Sequence, residues 1–111
     1  MDKVEQYRRY IQQILKKHET HKPSSHEIDV QVITDTIHDH YQVYHVGWQN
    51  NRRIHGCLVH LDLYDGKVWI QYNGTEENIA TALVALGVSK EDIVLGCYPP
   101  YYRQLTEYAA S

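Results

Sequence analysis

The chain has 111 residues, 42% hydrophobic and 23% charged, with a formal net charge of −3 at pH 7. This is the make-up of a single domain over 1–111 that buries its own core without disulfides or metal. No run of about 18 apolar residues is present to span a membrane. Asp2-Lys3-Val4-Glu5-Gln6 opens a polar amphipathic pattern rather than a signal peptide, so a cytoplasmic location is expected. The 14 acidic residues outnumber the 11 Lys and Arg, which disfavours autonomous binding to a phosphate backbone.

From Lys3 to about Thr20, the positions Val4, Tyr7, Ile11, Ile14, Leu15 and His18 recur at helical spacing and predict an amphipathic helix. His21-Lys22-Pro23-Ser24-Ser25 ends it. Ile28, Val30 and Val32 then alternate with polar residues as a half-buried strand. The next strand begins at Tyr41, after a turn at Ile37-His38-Asp39-His40. For Val30 and Val32 to share a core face with Tyr44 and Val46, the loop must hold an odd number of residues, His38, Asp39 and His40.

A turn at Gln49-Asn50-Asn51-Arg52 sets Trp48 opposite Arg53, Val46 opposite His55 and Tyr44 opposite Cys57. Gly47 and Gly56 fall on the other face. Tyr64-Asp65-Gly66-Lys67 has the chemistry of a type I′ hairpin turn. Its register pairs Leu63 with Val68, Leu61 with Ile70 and Val59 with Tyr72 on the core face, and Asp62 with Trp69 and His60 with Gln71 on the outer face. After Asn73-Gly74, Thr75 caps a helix with apolar positions Ile79, Leu83 and Leu86, and Gly87 stops it. Ser89-Lys90-Glu91-Asp92 reads as a capped turn, 93–97 as a short strand, and Pro99-Pro100 as an extended start to the tail. The expected fold is α+β: an N-terminal helix, an antiparallel β-meander of four to five strands, and a second helix after the meander.

Chemistry-bearing residues do not converge in this register. His55 and His60 point to opposite faces, while His45 and His60 share a face but lie roughly 13 Å apart along the strand, too far for one ion. No metal or cofactor site is therefore expected. Cys57 and Cys97 sit in apolar surroundings as reduced, buried thiols, and no serine lies in a Gly-x-Ser-x-Gly elbow, so no catalytic residues are assigned. Two features remain for binding. One is an outer sheet face of Tyr41, Val43, His45, Leu58, His60 and Trp69, either covered by a helix or the tail or open to a partner or a second copy. The other is Trp48 with Arg52 and Arg53 at a hairpin tip, joined by Arg103 of the tail. It is either a solvated turn or a grip for carboxylates or phosphate.

Several stretches carry a family resemblance: His45-Val46-Gly47-Trp48, Arg53-Ile54-His55-Gly56-Cys57, His60-Leu61-Asp62, Gly66-Lys67-Val68-Trp69-Ile70-Gln71 and Gly74-Thr75-Glu76. In these the chain resembles the XisI family of cyanobacterial proteins, named as controlling factors for excision of the fdxN element during heterocyst differentiation. The resemblance implies a non-enzymatic accessory factor for excision of a DNA element. Its implied partners are the site-specific recombinase or a XisH-like companion of restriction-nuclease character, with DNA touched only indirectly or weakly. Direct DNA binding, and antitoxin-like restraint of the nuclease-like companion, are the alternatives it leaves open. The chain departs from the family pattern at Asn73, Ser89, Cys97 and Tyr98.

Overall fold

A computed structural model describes residues 2–20 and 27–111. The turn expected at His21-Lys22-Pro23-Ser24-Ser25 lies outside the described residues. Helix α1 spans Lys3–Thr20, and the Asp2 carboxylate accepts the Glu5 N–H at 2.8 Å, closing the first turn. Tyr7, Ile11, Ile14 and Leu15 form its buried face. Each side chain buried in this way contributes about 1.5–3 kcal/mol.

Four strands follow as hairpins: β1 Ile28–Asp35, β2 His40–Gln49, β3 Arg52–Tyr64 and β4 Lys67–Asn73. The β2–β3 turn holds Asn50 and Asn51 at φ 51° and 65°, and the β3–β4 turn holds Asp65 and Gly66 at 54° and 75°. Both central residues are left-handed in each turn, as a type I′ turn requires. Helix α2 spans Ile79–Leu86 and starts later than expected. Asn78 is its cap, its side chain accepting the Thr81 N–H at 3.0 Å. Thr75 instead donates its hydroxyl to the side chain of Asn73, the last residue of β4. Gly87, at φ 126°, ends the helix by donating to the Leu83 and Val84 carbonyls.

A single 3₁₀ turn, Lys90–Asp92, leads into β5, Ile93–Val94. The sheet order is β1-β2-β3-β4-β5, and β5 pairs with β4 in parallel. The fifth strand thus departs from the antiparallel expectation. Its chain arrives by a helical crossover through α2 rather than by a hairpin, and a crossover delivers a parallel strand. Pro99 is extended at φ −67° and ψ 155°, but Pro100 opens a short helix, α3 Pro100–Arg103, in place of the expected extended run. Among the described residues no helix is long and apolar enough to cross a membrane.

Two irregularities set the faces of the sheet. The β2–β3 register shifts between Val43 and Tyr44, where Val43 pairs with Val59 but Tyr44 with Cys57, so Leu58 is an extra residue on β3. The β3–β4 register shifts between His60 and Leu61, where Leu61 pairs with Ile70 but His60 with Tyr72, so Gln71 is the extra residue on β4. Each bulge reverses the alternation beyond it. Three expected pairings survive near the turn, Leu63 with Val68, Asp62 with Trp69 and Leu61 with Ile70, whereas Val59 faces Asn73 and His60 faces Tyr72. The Gln49-Asn50-Asn51-Arg52 turn holds Trp48 to Arg53, Val46 to His55 and Tyr44 to Cys57 as expected.

The core face therefore differs from the expectation. Tyr41 and Val43 are fully buried with Val59, Leu61, Leu63, Val68 and Ile70, and Leu58 packs against the same cluster. Tyr44, Val46, His55 and Cys57 lie on the opposite face. The first loop is even, Asp35 pairing with His40, which sets Val32 against Val43 and Val30 against His45. Both helices pack on this core face: α1 against β1, β2 and β3, and α2 against β4. Gly47 lies on that side too, and the Glu27 carbonyl lies so close that a Cβ there would sit 2.0 Å from its oxygen.

Candidate functional site

With α1 and α2 on one face, the outer face of β2 and β3 carries a stripe of rings. At the hairpin tip the Arg53 guanidinium lies 5.4 Å over the half-exposed Trp48 ring. Next along the ribbon the Tyr44 and His55 rings stand 5.7 Å apart. Then come His60, paired with a half-exposed Tyr72, and Asp62, paired with His40 on one side and Trp69 on the other. The tail covers only the β4 end of this surface. Arg103 lies 5.3 Å over the Trp69 ring, and Gly96 sits against Trp69 and Gln71. The Trp69 indole N–H is buried without a hydrogen-bond partner among the described residues.

The nine residues expected to bind a partner are thus divided. Trp48, Arg53, His60 and Trp69 share the outer face, and Arg52 is exposed at the turn. Tyr41, expected on that face, is wholly buried and donates its hydroxyl to Asp39 at 2.8 Å. His45 and Leu58 follow it to the helix side, because the bulge at Leu58 reverses the alternation. Arg103 does not join the hairpin tip. It sits over Trp69, whose partner Asp62 is about 30 Å along β3 from Arg53 at the rise of a strand. Cys97 is exposed rather than buried, and both cysteines are free. Burial pushes the Cys57 thiol above its ordinary range.

The same reversal assembles a cluster that the regular register keeps apart. His60 and Asp62 are two residues apart on β3, and His40 is the cross-strand partner of Asp62. The Asp62 Oδ1 atom lies 2.8 Å from His40 Nδ1 and 2.8 Å from His60 Nε2. Gln71 Nε2 donates to the other oxygen at 3.0 Å. Burial pushes the Asp62 carboxyl up, but the bonds from His40, His60 and Gln71 outweigh it and hold the group below its ordinary value. Bonding to Asp62 raises His40 in turn. The sequence signal for this cluster was the pairing of Asp62 with Trp69 by the Asp-Gly turn. What was missing was the even first loop, which brings His40 into β2.

On the helix side the ionised groups are fasteners. Asp39 accepts from Arg8 Nε and Nη2 at 2.8 and 3.1 Å, and Asp92 accepts from Tyr7 at 2.7 Å and pairs with Lys3 at 2.7 Å. They tie α1 to the β1–β2 loop and to the 3₁₀ turn.

A one-layer sheet with α1 and α2 on one face and, on the other, a ring-lined surface that among the described residues only the tail covers, at β4, defines a small α+β protein. The chain belongs to the XisI family: the family model described as XisI protein matches residues 1–110. Among solved structures, a XisI-like protein from Anabaena variabilis ATCC 29413 is 42% identical, with a TM-score of 0.92 over 97% of this chain and 99% of that one. The fdxN element excision controlling factor XisI from the same strain is 31% identical, with a TM-score of 0.87 over 99% of this chain and 100% of that one. No match was found among curated proteins.

Proposed function

We propose that this chain is a non-enzymatic controlling factor for excision of a DNA element, acting through protein contacts made by the outer face of its sheet. The role is carried over from its relative, the fdxN element excision controlling factor. The observation that supports the contact surface is the ring stripe from Trp48 to Trp69, left uncovered by both helices over β2 and β3. Tryptophan, tyrosine and arginine dominate binding energy at protein interfaces. The partner is the recombinase or a XisH-like companion. The charge balance supports a protein over DNA. Arg8 is engaged by Glu5 and Asp39, Lys3 by Asp92 and Lys90 by Glu107, so these cations are not available as a phosphate track.

The test is co-expression with the XisH-like companion and with the recombinase, followed by gel filtration with light scattering. One stable complex, weakened by at least tenfold in Trp48→Ala or Trp69→Ala, is expected. Separate elution from both, with this chain alone shifting element-end DNA at about 0.15 M salt, would sink the protein-contact reading in favour of direct DNA binding. The light-scattering mass of the free chain reports in the same run whether the face closes on a second copy.

A further inference from the structure

We propose that His40, His60 and Asp62 bind a divalent transition-metal ion of the zinc type. The three donor atoms, His40 Nδ1, His60 Nε2 and Asp62 Oδ1, lie within 4.8 Å of one another. They come from paired strands rather than from a loop, His40 opening β2 and Asp62 lying two residues before the end of β3. Strand alternation places His60 and Asp62 on one face, and the pairing of His40 with Asp62 fixes the third group across the ribbon. Around a tetrahedral zinc with ligands at about 2.0–2.1 Å, neighbouring donors stand about 3.3 Å apart. Binding therefore asks each imidazole nitrogen to retreat by about half an ångström from its 2.8 Å contact with Asp62, and the two nitrogens, which lie within 4.8 Å of each other, to stand about 3.3 Å apart.

Donor chemistry selects the ion. Two imidazoles and one carboxylate suit zinc, cobalt or nickel, whereas calcium and magnesium want oxygen shells. Gln71 acts one step out. Its amide holds Oδ2 of Asp62 and so turns Oδ1 toward the two rings, the way an outer hydrogen bond orients a ligating carboxylate. A hollow of about 250 Å³ lies beside His40 and Asp62, walled also by His38, Tyr64 and Trp69. Water or a further ligand fits there, and Trp69 provides an optical reporter beside the ion.

The test is isothermal titration of the tag-free chain with zinc, and with cobalt followed by absorption, alongside His40→Gln, His60→Gln, Gln71→Leu and His55→Gln. The His40 side chain is 57% exposed, so its substitution leaves the fold intact, as circular dichroism will show. One ion per chain is expected, with affinity lowered more than tenfold by His40→Gln and by His60→Gln, about tenfold by Gln71→Leu, and not at all by His55→Gln. Absence of saturable one-to-one binding overturns the proposal, and so does equal binding by the wild type and both ligand variants.

Discussion

Single residues in this fold are constrained by what approaches them, and the two glycines of the second hairpin show it. A Cβ on Gly47 would sit 2.0 Å from the Glu27 carbonyl oxygen and 2.8 Å from Ile28 Cα, both backbone atoms that cannot step aside. A Cβ on Gly56 would meet nothing within 4 Å. Gly47→Ala should therefore cost about 1–3 kcal/mol, and Gly56→Ala should stay within about 0.5 kcal/mol of the parent, both read from urea unfolding. The sequence placed these glycines as a pair leaving room on one face. Only at Gly47 is the room used, and the occupant is the chain's own backbone before β1.

At the scale of elements, α1 is held to the sheet by an apolar seam and by fasteners at named points. Tyr7 contributes to both, packing in the core while donating its hydroxyl to the buried Asp92. Removing that hydroxyl leaves a carboxylate short of a donor, so Tyr7→Phe should lower stability by about 1.5–3 kcal/mol in chemical denaturation. Leu83, fully buried on α2, is a cavity site in the same core. Leu83→Ala should cost about 2–5 kcal/mol, with an unchanged dependence on denaturant if the fold is retained. The span of helix α1 was legible because its apolar period is a local signal. The start of α2 was not, since Thr75 and Asn78 are both good caps, and Thr75 is engaged by Asn73.

The molecule as a whole should be acid-sensitive. Arg8 holds the Asp39 carboxyl below its ordinary value. At Asp92 burial pushes up, but the bonds from Lys3 and Tyr7 prevail, and Asp62 is lowered likewise by His40, His60 and Gln71. A depressed folded pKa gives stabilisation that is present above the unfolded value of 3.8 and is lost as pH falls through the folded value. His40 has the opposite sign. Its raised pKa stabilises fully below the unfolded value of 6.5 and ceases to do so as pH rises through the folded value. The thermal midpoint should thus fall steeply on acidification below about pH 4 and decline slightly above about pH 6.5. His40→Gln should remove the alkaline part and, because His40 also holds Asp62 down, lessen the acid part.

What the sequence determined by itself is what short-range chemistry decides. The type I′ turn at Asp65-Gly66, the place of the turn at Asn50-Asn51, the span of α1, the stop at Gly87 and the pairs nearest each turn depend on the φ preferences and spacing of adjacent residues. Which face became the core was decided only in the tertiary structure. Counting from the two turns of β3 gives two registers that meet in the middle of that strand. A regular ladder satisfies both by burying Tyr44 and Val46 and leaving Tyr41 and Val43 outside. The protein instead places one extra residue, Leu58, in β3, sacrificing regular pairing there while Tyr41 and Val43 are buried against α1. Each such burial is worth about 1.5–3 kcal/mol. That balance depends on helix packing across the sheet, which no local pattern contains, and it carries His40, His60 and Asp62 onto one open face.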